Sequence, residues 1–264
     1  MIKIHRKFFI FVIIIISNFR LNSANFIAPT FNLLGKYENP AQIMDFENFK
    51  INLGYENYQN IDNLYNLNFS IYKNLNFFYT GFSYYKMLAK LEYHENKFNT
   101  FDNNIFNFYL NFPLRSKVFT GIILTYPFIK IRDYNFNGLD ISAGAIYTFY
   151  WGNFGILLKN IYTHKKYNWN IKEYIAGISI LLPIPDIQVR LFSDITYSNK
   201  LTLGLGMDYN FKIHNNIELL LELSYRENFN LGVSFLFNYF QLNYIANFIN
   251  NIGVKNFVSI GINF

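Results

Sequence analysis

The chain contains no cysteine. Disulfides, thiolate metal sites and a lipobox cysteine are thereby excluded. Charge is also scarce: Asp, Glu, Lys and Arg make up 15% of the 264 residues, against 52% hydrophobic residues. Such a chain is too apolar to be disordered and carries little charge with which to hold a hydration shell. The four histidines (His5, His94, His164, His214) are scattered and none pairs at metal-ligand spacing, so no metal is expected. There is no paired-carboxylate motif, nucleophile elbow or phosphate-binding loop, so neither an enzyme nor a cofactor is expected. Gly204 and Gly206 sit in LTLGLGMDY, where alternation runs straight through them. They read as lumen-facing strand glycines and not as a dinucleotide loop. No apolar run reaches the about 20 residues that a membrane-spanning helix requires.

Aromatic residues, by contrast, are abundant at 21%, with 31 Phe and 22 Tyr. Asn, Ile and Lys are frequent too, as AT-rich codons would produce, so pattern carries more weight than composition. Residues 1–7 (MIKIHRK) are basic, 8–16 (FFIFVIIII) are unbroken apolar, and 17–24 are short and polar. This is the plan of a secretory signal peptide, with cleavage expected after Ala24. The leader holds four of the 23 basic residues and no acid, which leaves 19 basic against 17 acidic residues and a surplus of two. No basic stripe remains, so no nucleic-acid partner is expected.

From Phe46 onward apolar residues recur at every second position. The alternation predicts strands near 47–57, 62–73, 75–93, 103–113, 116–130, 139–150, 152–163, 171–182, 187–197, 201–211, 216–225, 229–237, 240–247 and 256–264, the third with a break at Lys86. Segments of about ten alternating residues separated by turns mark a transmembrane barrel. Tight connections (73–74, 151–152, 183–186, 238–239) alternate with longer ones (94–103, 131–138, 163–170, 248–255), with 197–200 as a short exception. Barrels show this asymmetry, with the short turns on the periplasmic side. Tyr55, Tyr93, Tyr126, Phe149, Tyr197, Tyr225 and Tyr244 lie near strand ends, where interfacial girdles form.

Two ends of the chain carry a family resemblance. The last strand, NFVSIGINF, places Ile260, Ile262 and Phe264 on one face and stops on an aromatic residue. It resembles the C-terminal signal read by the barrel-assembly machinery of the bacterial outer membrane. Residues 25–45 (NFIAPTFNLLGKYENPAQIMD) do not alternate. Their Asn39-Pro40-Ala41 resembles the segment found near the mature N-terminus of FadL-type outer-membrane proteins, a grouping that includes PorV/PorQ-like proteins. The resemblance implies a short N-terminal inner, plug-like segment (25–45) ahead of a barrel (46–264). It also implies export to the outer membrane of a Gram-negative cell. The function it implies is either a passive channel for hydrophobic compounds or a surface anchor or shuttle for a secreted protein.

Charges on the non-lipid faces form one cluster: Arg190 and Asp194, then Asp208, then Glu218 and Glu222. A turn centred near Asn199 sets Arg190 opposite Asp208, and a turn near Ile213 sets Asp208 beside Glu218. In hydrocarbon each charge would cost about 2–4 kcal/mol, the Arg more than the acids, so all are expected to face inward. There they would either pair across a filled lumen, or hold the plug or a polar solute group. The expected fold is an all-β transmembrane antiparallel barrel of about 14 strands in one domain. The runner-up is a secreted soluble β-sandwich with a structural or binding role.

Overall fold

The structure, a computed structural model, describes residues 39–42, 48–58, 64–94, 97–131, 134–165, 172–184, 187–214, 216–226, 228–249 and 253–264. The expected leader (1–24) and residues 25–38 and 43–47 of the expected inner segment lie outside the described residues. Among those described, fourteen strands follow one another: β1 (Phe49–Tyr58), β2 (Leu64–Asn74), β3 (Tyr79–His94), β4 (Lys97–Arg115), β5 (Val118–Ile131), β6 (Tyr134–Phe149), β7 (Gly152–Lys165), β8 (Glu173–Ile184), β9 (Ile187–Tyr197), β10 (Leu201–His214), β11 (Ile217–Tyr225), β12 (Phe229–Phe237), β13 (Phe240–Ile249) and β14 (Gly253–Asn263). Each pairs with its sequence neighbours, and β1 pairs with β14, so the sheet closes into a barrel. A sandwich leaves edges, and this ring has none.

The seam is as regular as the rest of the wall. Nine positions pair across it, from Lys50 opposite Asn263 to Tyr58 opposite Lys255. Phe264 completes the lower end. Its N–H donates to the Phe49 carbonyl (2.8 Å), and its own carbonyl accepts from Asn48 (2.9 Å) and Phe49 (3.0 Å). Its ring stacks on Tyr239 with centroids 6.4 Å apart and 16° between planes. The alternation expected for Ile260 and Ile262 holds, with Phe257 and Ser259 turned inward and buried.

The two faces of the wall divide by chemistry. The outward face is apolar, with Leu201 70% exposed, Leu53 59% and Ile260 54%. A wall of such side chains on every strand far exceeds the few hundred Å² of contiguous apolar surface that water-soluble proteins leave bare. It suits lipid tails. The inward face is polar and buried: Asn66, Ser70, Asn111, Asp140, Ser179, Ser234 and Asn243 are all at most 1% exposed. Inward groups bond one another both across strands and along them. Asn52 donates to Ser70 (3.1 Å), Asn107 to Ser83 (3.0 Å), Asn243 to Ser259 (2.9 Å) and Gln241 to Asn243 (2.9 Å).

Several expected boundaries shift. The first turn is at 75–78, not 73–74; Asn76 takes a positive φ of 68°, and its N–H is held by Asn74 Oδ1 (2.8 Å). β3 runs unbroken through Lys86, which pairs with Leu67 and Asn104. The long connections expected at 94–103, 131–138 and 248–255 are mostly strand, since β4 begins at Lys97, β6 at Tyr134 and β14 at Gly253. Backbone pairing continues there without apolar alternation, because hairpins standing clear of lipid need no greasy face. Only 166–172, between β7 and β8, keeps the expected length among the longer connections. The loop asymmetry is therefore weaker than the sequence suggests.

Leu191, outward and 40% exposed near the middle of β9, tests the lipid-facing assignment. Leu191→Arg should lower stability by about 2–4 kcal/mol in lipid vesicles, read from urea unfolding followed by tryptophan fluorescence.

Candidate functional site

Among the described residues, one 3-10 turn, Pro40–Gln42, lies inside the ring. Its sequence caps itself. Asn39 Oδ1 accepts the Ala41 N–H (3.0 Å), the Gln42 N–H donates to the Asn39 carbonyl (3.0 Å), and Gln42 Oε1 accepts the Asn39 N–H (3.4 Å). This reciprocal arrangement is a capping box, with Pro at the first helical position, where no N–H is needed. Asn39 and Ala41 are completely buried.

The barrel wall is shaped to receive this turn. Asn111, Gly121 and Gly144 fall on one cross-strand row over β4, β5 and β6. Asn111 Nδ2 donates to the Pro40 carbonyl (2.9 Å), and Asn39 Nδ2 donates to the Ile156 carbonyl of β7 (3.1 Å). A Cβ on Gly121 would stand 2.7 Å from Pro40 Cβ, and one on Gly144 would overlap Asn39 Oδ1. Two facing glycines thus form a notch, and the turn fills it. Asn39, Pro40 and Ala41 lie buried against β4, β5 and β6. Asn111, Gly121 and Gly144 were not singled out in the sequence. The signal available was that Gly121 and Gly144 interrupt inward positions at matching registers.

The five charges read from the sequence do face the lumen, but they sort into separate pairs. Arg190 stands opposite Asp208, as expected, at 3.7 Å. Asp208 lies opposite Glu222, not Glu218, because the β10–β11 register is centred two residues later and shifts between Lys212 and His214. Glu218 instead accepts from Asn210 (3.1 Å) and pairs with Lys212 (3.8 Å). Glu222 accepts from Ser224 (3.0 Å). Asp194 is bonded by both Arg226 Nε (3.1 Å) and Arg226 Nη2.

Arg226 was missed because it follows the last residue of β11. The β10–β11 register, continued by one step, sets it level with Gly204, itself opposite Asp194. The side chain therefore reaches over a bare glycine to an acid two strands away. Gly206 serves the same end, since the Phe192 ring lies across it. A second pairing stands at the seam. Lys255 and Glu56 join across the β1–β14 seam at 2.9 Å, with Asn66 and Tyr85 also bonded to Glu56. Residues 39–42 pack on β4, β5 and β6, whereas the Arg190 row stands on β9 to β11. Among the described residues the charges do not hold the turn.

Among the described residues, three apolar patches interrupt the polar lining: Tyr72 with Tyr109 and Ile123, Leu220 with Ile245 and Phe257, and Leu157 with Ile175.

A closed antiparallel ring, polar within and apolar without, defines a transmembrane β-barrel. No protein-family model matches the chain, and no curated protein matches it in sequence. Solved structures match in fold at 10% identity. The CymD monoaromatic hydrocarbon channel superposes with a TM-score of 0.68 over 90% of this chain and 94% of its own. A TodX monoaromatic hydrocarbon channel carrying the deltaS2S3 mutation gives 0.67 over 93% and 98%. A FadL homologue from Pseudomonas aeruginosa gives 0.53 over 90% and 97%. The chain has the closed-barrel fold of these hydrocarbon channels and of the FadL homologue.

Two variants probe these sites. Gly144→Val should push Asn39 out of its notch and raise single-channel conductance in planar bilayers above the wild-type level. Arg190→Leu leaves two facing carboxylates without their cation, and should destabilise the barrel by about 3–5 kcal/mol. The folded band on unheated gels should then be lost at a lower temperature.

Proposed function

We propose that the protein is a passive outer-membrane channel for small hydrophobic compounds, closed within by the Asn39–Gln42 turn. The observation that carries this reading is the self-capped turn docked on paired glycines. It occurs in a barrel whose fold matches two monoaromatic hydrocarbon channels over nearly the full length of each chain. The lining is compatible with such a solute. Several of its Asn and Ser groups already bond to one another, so a passing apolar molecule need not break those hydrogen bonds. The three apolar patches offer it contact surface. In this reading both chain ends face the periplasm, the leader directs export, and the Ile260, Ile262 and Phe264 face is what the barrel-assembly machinery binds.

A second reading, a surface anchor or shuttle for a secreted protein, is favoured by the short connections at the end away from the chain termini. Apart from 59–63 and 166–172, the connections there span two or three residues and build little of a solute-capturing pocket. Uptake separates the two. Liposomes containing the barrel should admit a monoaromatic hydrocarbon faster than empty liposomes, and Gly144→Val should alter that rate. Unchanged uptake together with a co-purifying secreted protein would select the anchor.

A further inference from the structure

The outward face of β3, β4 and β5 changes character within a single row. Tyr84, Phe106 and Tyr126 stand in one cross-strand row, with the Tyr84 and Phe106 rings 5.0 Å apart. The next outward row holds Lys86, Asn104 and Phe128, and the one above it Leu88, Asp102 and Lys130. These polar groups form an ordered chain. Tyr84 Oη donates to Asn104 Oδ1 (2.6 Å), Asn104 Nδ2 donates to Asp102 Oδ1 (2.8 Å), and Lys86 Nζ sits 3.7 Å from Asp102 Oδ2. Lys130, directly opposite Asp102, is exposed.

Asp102 is set apart from Glu56, Asp140, Asp194, Asp208 and Glu222, all of which are buried or inward-facing. A carboxylate and two ammonium groups facing outward cannot lie in hydrocarbon at small cost. The tyrosine row therefore marks the upper edge of the lipid tails, and the charged rows lie at headgroup depth. The carboxylate is shared by Asn104 and Lys86, and two lysines face one acid, so the patch is left with a net positive charge.

We propose that Lys86 and Lys130, spaced by Asp102, bind the phosphate of an outer-leaflet glycolipid whose acyl chains lie along Phe106 and Tyr126. Asp102 and Asn104, on β4, act as positioning residues between the two ammonium groups, which stand on the flanking strands β3 and β5. The inference depends on the orientation with both chain ends in the periplasm. It does not depend on what the lumen carries, so failure of hydrocarbon uptake would leave it standing.

The test uses the full barrel in detergent, with retained lipid measured by native mass spectrometry. The probes are bisphosphorylated lipid A, its dephosphorylated form, and inorganic phosphate as competitor. Wild-type protein should retain the phosphorylated form in preference to the dephosphorylated one, and retention should weaken as salt rises. The K86Q/K130Q variant should lose about 30-fold in retention, near fivefold for each cation removed beside an anionic surface. K86R/K130R should keep it, and a K73Q/K117Q control at the opposite rim should behave as wild type. Heat-modifiable gel mobility confirms that each variant is folded. Equal retention by K86Q/K130Q and wild type, or equal retention of dephosphorylated lipid, would overturn the proposal. Displacement by equimolar inorganic phosphate would show a free-anion site instead and overturn the lipid assignment.

Discussion

Backbone hydrogen bonding in a medium without water governs this molecule. Each N–H and C=O left unpaired in hydrocarbon costs several kcal/mol, and a strand cannot satisfy its own groups. The pairing of β1 with β14 is therefore what allows the other thirteen interfaces to exist in a membrane. The chain reinforces that join with a Lys255–Glu56 ion pair inside and the Phe264, Tyr239 and Phe49 rings outside. Side chains are then free to specialise, with oily groups outward and amides and hydroxyls inward.

The interior shows what that specialisation permits. A polar lining can be tightly packed only where its groups find partners, and here short Asn and Ser side chains bond across strands in rows. Glycines appear on the inner wall where something must come close: Pro40 at Gly121, Asn39 at Gly144, Phe192 at Gly206. These absences of side chain are as specific as any contact. They decide where the turn sits and where an aromatic ring can lie flat.

Period-two alternation was legible wherever one face met lipid, because burial in hydrocarbon selects apolar residues at every second position. It placed all fourteen strands and put Arg190 opposite Asp208. It failed where lipid no longer selects. The upper parts of β4 and β6 read as loops because their pairing lies in water, and Lys86 reads as a break because a charge on the outward face looks like an interruption. The Glu222 register was misjudged by two residues, since the irregularity between Lys212 and His214 leaves no trace in composition. Asn160, with φ of 55° and its N–H bonded to Ser142 Oγ, shifts β7 against β6 in the same hidden way. The capped Asn39 turn was recognisable by its residues, but its receiving notch was not. Facing glycines become a notch only once the strands are in register.

The unequal strand lengths have a further consequence. β11 ends at Tyr225 and β12 starts at Phe229, whereas β3 continues for ten residues beyond Tyr84, or roughly 30 Å of chain at about 3.4 Å per residue. The rim is consequently slanted like the lip of a jug, with a high back over β3 to β6 and a low sill over β11 to β14. A molecule arriving from outside meets a screen on one flank and an open approach on the other, which would give entry a preferred side under the proposed channel function.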